Sequence, residues 1–208
     1  QYFATLLVES NENIKETEKF NIDSTIGIDL GIKDFAVISD GTRIENPKSL
    51  RKKLTRLKKI QKKHSRKQKG SNNRNKSRIK IAKIHLKVKN QRQDFLHKLT
   101  HSLTHKNQVS TICIEDLAVS NMIKNHKLAL SISDVGWGEF RRQLEYKCNW
   151  YGKRLITINR FAPSSKMCSS CGQIKTDLTL ADREWTCDCG VIHDRDLLAS
   201  KNIKNFGI

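Results

Sequence analysis

Short runs of apolar and β-branched residues, each bounded by turn-forming residues, recur along the chain and predict β-strands. The predicted strands are residues 26–30 (IGIDL), 35–38 (FAVI), 43–46 (RIEN), 109–114 (VSTICI) and 154–158 (RLITI). The first three follow one another closely, with Asp40-Gly41 as a turn, which is typical of a meander. Residues 2–8 (YFATLLV) also have the pattern of a strand.

Helical spacing of apolar residues appears between and after these strands. Trp137, Phe140, Leu144 and Cys148 share one helix face, which predicts a helix that ends near Gly152. A last helix is predicted at residues 196–205. Strands and helices that share one sheet predict an α/β layer fold.

A strongly basic segment separates the third and fourth strands. Between Lys48 and Arg92 there are 20 Lys or Arg residues and no Asp or Glu, while leucines and isoleucines recur at helical spacing. Gly, Ser and Asn cluster at residues 69–77 (KGSNNRNKS), where we expect a break. The segment is therefore predicted to form two antiparallel basic helices.

The charge balance indicates the class of partner. The 40 Lys and Arg residues outnumber the 21 Asp and Glu residues, for a net charge of +19. Such a charge attracts polyanions, and twenty cations without an anion repel one another unless phosphates neutralise them. Nucleic acid is the favoured partner, contacted through its backbone. No apolar run long enough to span a membrane and no signal sequence is found, which predicts a soluble, cytoplasmic protein without a membrane partner.

Four cysteines near the C-terminus have the spacing of a zinc ribbon. Cys168 and Cys171 are followed by Cys187 and Cys189, and four thiolates can close a tetrahedral Zn²⁺ site. Two disulfides are the alternative, which a reducing cytoplasm disfavours. The second pair is separated by a single residue, so His193 is kept as a reserve ligand. Cys113 and Cys148 are predicted to be ordinary buried thiols.

Acidic residues occur at three points where an apolar element begins or ends. Asp29 lies within the first strand, Glu115 follows the fourth, and Asp194 and Asp196 begin the last helix. Each has an ordinary explanation by itself: a turn cap, a partner for Lys, or a helix N-cap. Together on a positive chain they favour a cleft that holds two Mg²⁺ (or Mn²⁺) ions about 3.5–4 Å apart, since buried carboxylates require compensating cations.

The sequence allows two other interpretations. The strand GIDLG is also how actin-like ATPases begin, but the chain has no later glycine-rich turn to bind phosphates. Trp137, Phe140 and Trp150 are expected to pack in the core rather than to stack on bases. Lys166, Lys175 and Arg183 flank the cysteines, and we hypothesise that they guide a single strand into the cleft.

Five segments together resemble the TnpB (OrfB) proteins of bacterial insertion sequences. They are GIDLGIKDFAVISDG, TICIEDL, SDVGWGEFRRQLEYK, FAPSSKMCSSCG and LADREWTCDCGVIHDRDLLASKNI. The resemblance implies a ribonuclease H-like (RuvC) mixed sheet flanked by helices. It also implies four regions: the end of a wedge-like domain (1–23), the first part of the nuclease domain (24–163, with the basic insertion at 48–108), a zinc-ribbon target-nucleic-acid-binding lobe (164–192) and the last nuclease motif (193–208).

The resemblance further implies an RNA-guided DNA endonuclease with a DNA target, a guide RNA held mainly by a region that would precede Gln1, and a place near the bacterial or archaeal nucleoid. Asp29 and Glu115 match the first two catalytic acids, and Asp196 is preferred to Asp194 as the third. Leu198 stands where the family has Asn, and Ser200 where it has Ala. The alternative is a nucleic-acid-binding protein of the same family that does not cleave.

Overall fold

The computed structural model describes residues 4–7, 16–106, 108–179 and 181–208. Its centre is a five-stranded mixed sheet with strand order β3-β2-β1-β4-β5. The strands are β1 (Thr25–Leu30), β2 (Asp34–Ile38), β3 (Arg43–Glu45), β4 (Thr111–Glu115) and β5 (Arg154–Ile158). The first three form an antiparallel meander, whereas β4 and β5 run parallel to β1. The five predicted strands and the mixed α/β class are confirmed.

Helices connect and cover the sheet. They are α1 (Leu54–Ser65), α2 (Asn72–His101), α3 (Val119–Met122), α4 (Ala129–Val135), α5 (Trp137–Trp150) and α6 (Arg195–Phe206). A 3₁₀ turn at Arg51–Lys53 precedes α1, and a π-helical turn at Ser102–Lys106 follows α2. A small second sheet pairs β6 (Glu184–Thr186) with β7 (Ile192–Asp194). Helices α5 and α6 confirm the two helices predicted at those positions, while α3 and α4 were not predicted.

The main core fills one face of the sheet. Ile28, Ile112 and Ile114 point into it from β1 and β4, and Leu96 of α2 and Phe140 of α5 pack against them. The ring of Phe35 stacks edge-on against Phe140, with 5.2 Å between the ring centroids. Burial of these large apolar side chains is the main stabilising contribution to the fold.

Helix α6 covers the opposite face of the sheet. Ile203 packs there against Cys113 of β4 and Ile158 of β5. The helix approaches β1 so closely that a Cβ atom on Gly27 would lie 2.0 Å from the carbonyl oxygen of Ser200. Glycine at this position is therefore required for the helix to reach the sheet.

The basic segment forms a helical hairpin, as predicted, from α1 and α2. His64 Nδ1 lies 2.7 Å from Ser77 Oγ, which joins the two helices near the turn. The predicted break at residues 69–77 was wrong in its extent, because α2 already begins at Asn72. Ser71 caps α2 by accepting a hydrogen bond from the backbone N–H of Arg74, so the asparagines after it enter the helix.

A buried carboxylate attaches the hairpin to the main core. Asp134 of α4 accepts hydrogen bonds from the backbone N–H groups of Leu50 and Arg51, just before α1. It also accepts one from the guanidinium of Arg92 in α2, at 3.1 Å. The charge of Asp134 is thus compensated, as a buried acid requires.

The strand predicted at residues 2–8 is not found in its described part. Residues 4–7 form no regular structure, and Leu6 and Leu7 are exposed; the rest of that segment lies outside the described residues. Among the described residues, none of the helices has the length and apolar character needed to cross a membrane.

Candidate active site and metal centre

Side chains alternate between the two faces of a strand, and this alternation brings two predicted acids together. In the parallel register of β1 and β4, Ile28 lies opposite Ile114. The next residues on the two strands are Asp29 and Glu115. Since Ile28 and Ile114 point into the main core, Asp29 and Glu115 belong to the face that α6 covers.

Helix α6 brings the third predicted acid, Asp196, to the same region in its first turn. Burial, followed by the negative charges of Glu115 and Asp196, raises the pKa of Asp29 to about 8, although Arg195 opposes this rise. The influence of both acids on Asp29 places the three carboxylates near one another. Asp29 is thus mostly protonated at neutral pH unless a cation compensates it.

A cleft of about 350 Å³ opens beside these acids. Its lining includes two of them, Asp29 and Asp196, together with the cations Arg183 and Arg195 and with Trp137. In the described part of the chain, the ligand atoms of four cysteines all lie within 4.8 Å of one another, whereas those of the three acids do not.

The two acids at the start of α6 have different surroundings. Asp194 is the N-cap of the helix, and its Oδ1 accepts from the backbone N–H of Leu197. Its other oxygen lies 2.7 Å from the guanidinium of Arg43. Asp196 has only longer ion pairs, at 3.9 Å with Arg43 and 3.7 Å with Arg183. Asp194 therefore has a structural role, whereas Asp196 faces the cleft.

Glu115 is held by a serine from a distant part of the chain. Ser164 Oγ donates a hydrogen bond of 2.6 Å to Glu115 Oε1. The adjacent Asp116 accepts hydrogen bonds from Arg160 and Arg141, and these two guanidinium groups lower its pKa. The two neighbouring acids therefore have different partners: Asp116 is paired with two arginines, whereas Glu115 accepts a hydrogen bond from a neutral hydroxyl.

The four predicted cysteine ligands converge. The Sγ atoms of Cys168, Cys171, Cys187 and Cys189 all lie within 4.8 Å of one another. Cys168 Sγ is 3.7 Å from Cys189 Sγ, and Cys171 Sγ is 3.6 Å from Cys187 Sγ. A tetrahedron with Zn–S bonds of about 2.3 Å has S···S edges of about 3.8 Å, whereas a disulfide is about 2.05 Å long. The cluster fits a tetrahedral metal ion, and all four thiols are free.

His193 supports this cluster rather than joining the ligand group. Its Nε2 lies 3.1 Å from Cys168 Sγ, and its ring stacks at a tilt on Trp185, 4.8 Å away. Burial opposes ionisation of Cys168, but the backbone N–H groups of Cys171 and Ser170 and the His193 ring outweigh it and lower the pKa to about 5. Such hydrogen bonds to a thiolate are typical of metal sites.

A basic groove lies between α1 and α2. It has a volume of about 760 Å³ and is lined mainly by cations: Lys52, Lys53, Arg56, Lys63, Lys67, Lys80, Lys83 and Lys87. Their side chains face one shared space, so the positive potential is concentrated there. The groove is formed by the segment for which the sequence predicts contact with phosphates.

Three predictions about single side chains have different outcomes. Trp137 and Phe140 are buried, as expected, but Trp150 is 56% exposed and its packing prediction was wrong. Trp150 lies at the last turn of α5 and contacts only Tyr146 among the described aromatic rings. Cys113 and Cys148 are buried thiols, as predicted, and burial raises their pKa to about 11 and about 12.

Several site residues were not predicted. Ser164, Arg43 and Asn202 take part through contacts between segments far apart in sequence. Ser164 lies in the conspicuous segment FAPSSKMCSSCG, which gave a signal for the lobe but not for a bond to Glu115. Of the three cations proposed to guide a strand, Arg183 lines the cleft, whereas Lys166 and Lys175 hydrogen-bond to backbone carbonyls within the lobe.

These features define an α/β protein with a cleft lined by both acids and cations, a basic groove and a four-cysteine lobe. The family model described as "Probable transposase" (OrfB_IS605) matches residues 5–126, more than half of the chain. A second model, "Cas12f1-like, TNB domain", matches residues 137–203. The chain belongs to the OrfB_IS605 family, which confirms the resemblance to TnpB proteins.

Two relatives illustrate the similarity. A Streptomyces pristinaespiralis protein named "Putative RNA-guided DNA endonuclease" is 50% identical over 185 residues, covering 89% of this chain and 46% of that protein. "Putative RNA-guided DNA endonuclease InsQ" of Escherichia coli K12 is 37% identical, with 79% and 44% covered. The chain thus spans less than half the length of these relatives.

The fold also resembles solved structures. A chain in the cryo-EM structure of the Cas12f1-sgRNA-target DNA complex matches with a TM-score of 0.61 and 22% identity, over 92% of this chain and 40% of that one. A chain of a CRISPR-Cas12f ternary complex matches with a TM-score of 0.65 and 18% identity, over 95% and 41%. At these identities the similarity concerns the fold.

Proposed function

We propose that this chain contains the nuclease core of an RNA-guided DNA endonuclease, with a ribonuclease H-like (RuvC-like) fold. Asp29, Glu115 and Asp196 are the proposed catalytic acids and ligands of Mg²⁺ or Mn²⁺. The observation that carries the proposal is their convergence from β1, β4 and α6 around a partly buried Asp29 whose pKa is raised to about 8. The names of the relatives, which include RNA-guided DNA endonucleases, support it.

The donor set suits divalent cations with a preference for oxygen ligands. Three carboxylates close together repel one another, and a bound cation relieves this repulsion. When bound, such ions activate water and stabilise the charge that develops on a phosphodiester. Arg183 and Arg195, which line the same cleft, are placed to attract the phosphate, while Asp29 must lose its proton before it can act as a ligand.

The remaining assignments follow the same family. Residues 24–163 and 193–208 are the proposed nuclease domain, 164–192 the zinc ribbon, and 1–23 the end of a wedge-like domain. Zn²⁺ is the proposed ion for the four cysteines, since a Cys₄ tetrahedron is typical of structural zinc. DNA is the proposed target, and a guide RNA the second partner. The groove between α1 and α2 supplies backbone contacts.

The test is cleavage of single-stranded DNA by the purified chain with Mg²⁺ or Mn²⁺. Asp29→Asn and Asp196→Asn should abolish cleavage but retain DNA binding, which is measured separately by fluorescence anisotropy. Asp194→Asn is the matched control, because asparagine still caps a helix, and it should retain cleavage. Loss of cleavage in Asp194→Asn but not in Asp196→Asn would contradict the assignment of the third acid.

One observation favours a second candidate, a family member that binds nucleic acid without cleaving it. Leu198, which stands where the family has Asn, packs in the small apolar cluster with Trp185, Cys168 and Cys187 rather than in the cleft. The polar group that the family has at this position is therefore absent from this chain. DNA binding with no cleavage by the wild-type chain under any divalent cation would support this candidate.

A further inference from the structure

Glu115 is connected to the four-cysteine lobe by a short series of hydrogen bonds through α6. Ser164 Oγ, in a buried residue, donates to Glu115 Oε1 at 2.6 Å. The carbonyl oxygen of Ser164 in turn accepts a hydrogen bond of 2.7 Å from Asn202 Nδ2. Asn202 Nδ2 also donates to the carbonyl oxygen of Met167, at 2.7 Å. Met167 immediately precedes Cys168.

The geometry explains why an asparagine occupies this position. An amide nitrogen offers two donors, and here both are used by two carbonyls of the same loop. Asn202 is fully buried, and its Oδ1 has no hydrogen-bond partner among the residues that the structure describes. An unpaired buried acceptor lowers the stability of the folded state. The presence of Asn202 at this position is nevertheless explained by the geometry that its two donors impose on residues 164–167.

The loop itself is tightly turned, which makes the connection stiff. The backbone N–H groups of Lys166 and Met167 both donate to the carbonyl oxygen of Pro163, at 3.1 and 3.0 Å. Ser164 therefore has little freedom once Asn202 holds it. A hydrogen bond from a hydroxyl to a carboxylate is charge-assisted and short, so it fixes the orientation of Glu115. The oxygen lone pairs that Ser164 leaves free can then face a cation.

We infer that Ser164 and Asn202 are positioning residues that orient Glu115 for metal binding and couple its position to the metal state of the cysteine lobe. This inference rests on the proposed function, because it takes Glu115 to be a metal ligand. Since α6 carries both Asp196 and Asn202, the same helix supplies one acid and positions another. A metal ion bound to Cys168 fixes one end of the loop, and the hydrogen bonds that Asn202 donates fix its middle.

The first test compares Mn²⁺ affinity, measured by electron paramagnetic resonance on zinc-loaded protein. Ser164→Ala should weaken Mn²⁺ binding about tenfold, the lower end of the effect of residues that orient metal ligands. Zinc content and melting temperature are measured on the same samples and should stay close to wild type. Ser169→Ala is the control, because this exposed serine of the same segment has no hydrogen bond to an acid among the described residues, and it should leave Mn²⁺ affinity unchanged.

The second test is a thermodynamic cycle, which a merely structural role would not satisfy. Removing zinc by Cys171→Ser should weaken Mn²⁺ binding in the wild-type background but have little further effect in Ser164→Ala, because the connection is already broken. Additive effects would overturn the coupling, and unchanged Mn²⁺ affinity in Ser164→Ala would overturn the inference as a whole. A wild-type chain that binds no Mn²⁺, or whose Mn²⁺ binding survives Asp29→Asn, would contradict the proposed function and the inference with it.

Discussion

At the scale of single residues, the fold opposes the ionisation of Asp29. Burial and the charges of Glu115 and Asp196 raise its pKa from 3.8 to about 8. An acid whose pKa is raised by folding contributes most to stability when both states are protonated, below pH 4. That contribution is lost as pH rises from about 4 to about 8, because the unfolded chain releases the proton first.

Asp29→Asn should therefore stabilise the metal-free protein at pH 8, with a gain that declines towards pH 4. We expect at least about 1.4 kcal/mol at pH 8, which corresponds to one pKa unit. Urea unfolding at pH 4, 6 and 8 in the presence of a chelator measures this. Asp177→Asn, an exposed acid of the cysteine lobe, is the control and should show no such trend. A stability difference for Asp29→Asn that does not change with pH would contradict this account.

At the scale of secondary-structure elements, the site depends on the close packing of α6 on β1. The Cβ of an alanine at Gly27 would lie 2.0 Å from Ser200 O and 2.5 Å from Lys204 N, both backbone atoms. The helix must shift to accept it, which moves Asp196 relative to Asp29.

Gly27→Ala should destabilise the protein by about 1–3 kcal/mol, as overpacking generally does, and should weaken Mn²⁺ binding. Gly138→Ala is a matched control in α5, where a Cβ meets nothing within 4 Å; it should be neutral or stabilising by up to about 1 kcal/mol. Thermal and urea unfolding compare the two. Equal effects of the two substitutions would argue against the proposed role of Gly27.

The basic hairpin provides another prediction at this scale. We expect the slope of log affinity for DNA against log salt to fall by about 3–4 when four groove residues are replaced by Gln, if each contacts one phosphate. These residues are Lys63, Lys80, Lys83 and Lys87. The control set removes the same charge from exposed residues of the same helices outside the groove lining. These residues are Lys58, Lys59, Lys76 and Lys89. Anisotropy titrations at several salt concentrations compare the sets, and equal slopes would exclude the groove as the binding surface.

The sequence predicted the elements better than their contacts. Apolar periodicity was sufficient for the strands around Asp29 and for α5, because these patterns are local. The start of α2 was misplaced, since the capping hydrogen bond of Ser71 outweighs the turn preference of the asparagines after it. The bond between Ser164 and Glu115 joins residues 49 positions apart and depends on tertiary packing, which periodicity does not specify.

At the scale of the whole molecule, the cysteine lobe has too small a core to be stable by itself. Its buried apolar cluster consists of Cys168, Trp185, Cys187 and Leu198, so the proposed Zn²⁺ would supply much of its folding free energy. Cys187→Ser should reduce bound zinc from one ion per chain to nearly none and expose the lobe to proteolysis. Cys148→Ala, which changes a buried thiol far from the lobe, should retain zinc. Elemental analysis and limited proteolysis would show this, and full zinc in Cys187→Ser would contradict the ligand assignment.

The central claim is that Asp29, Glu115 and Asp196 form a divalent-cation site. The most direct measurement is an anomalous difference map from crystals of the chain soaked with Mn²⁺. We expect a Mn²⁺ peak in the cleft, about 2.0–2.3 Å from carboxylate oxygens of these acids, and no such peak in Asp29→Asn crystals. Mn²⁺ bound elsewhere while the cleft acids remain paired only with Arg43, Arg183 and Ser164 would contradict the claim.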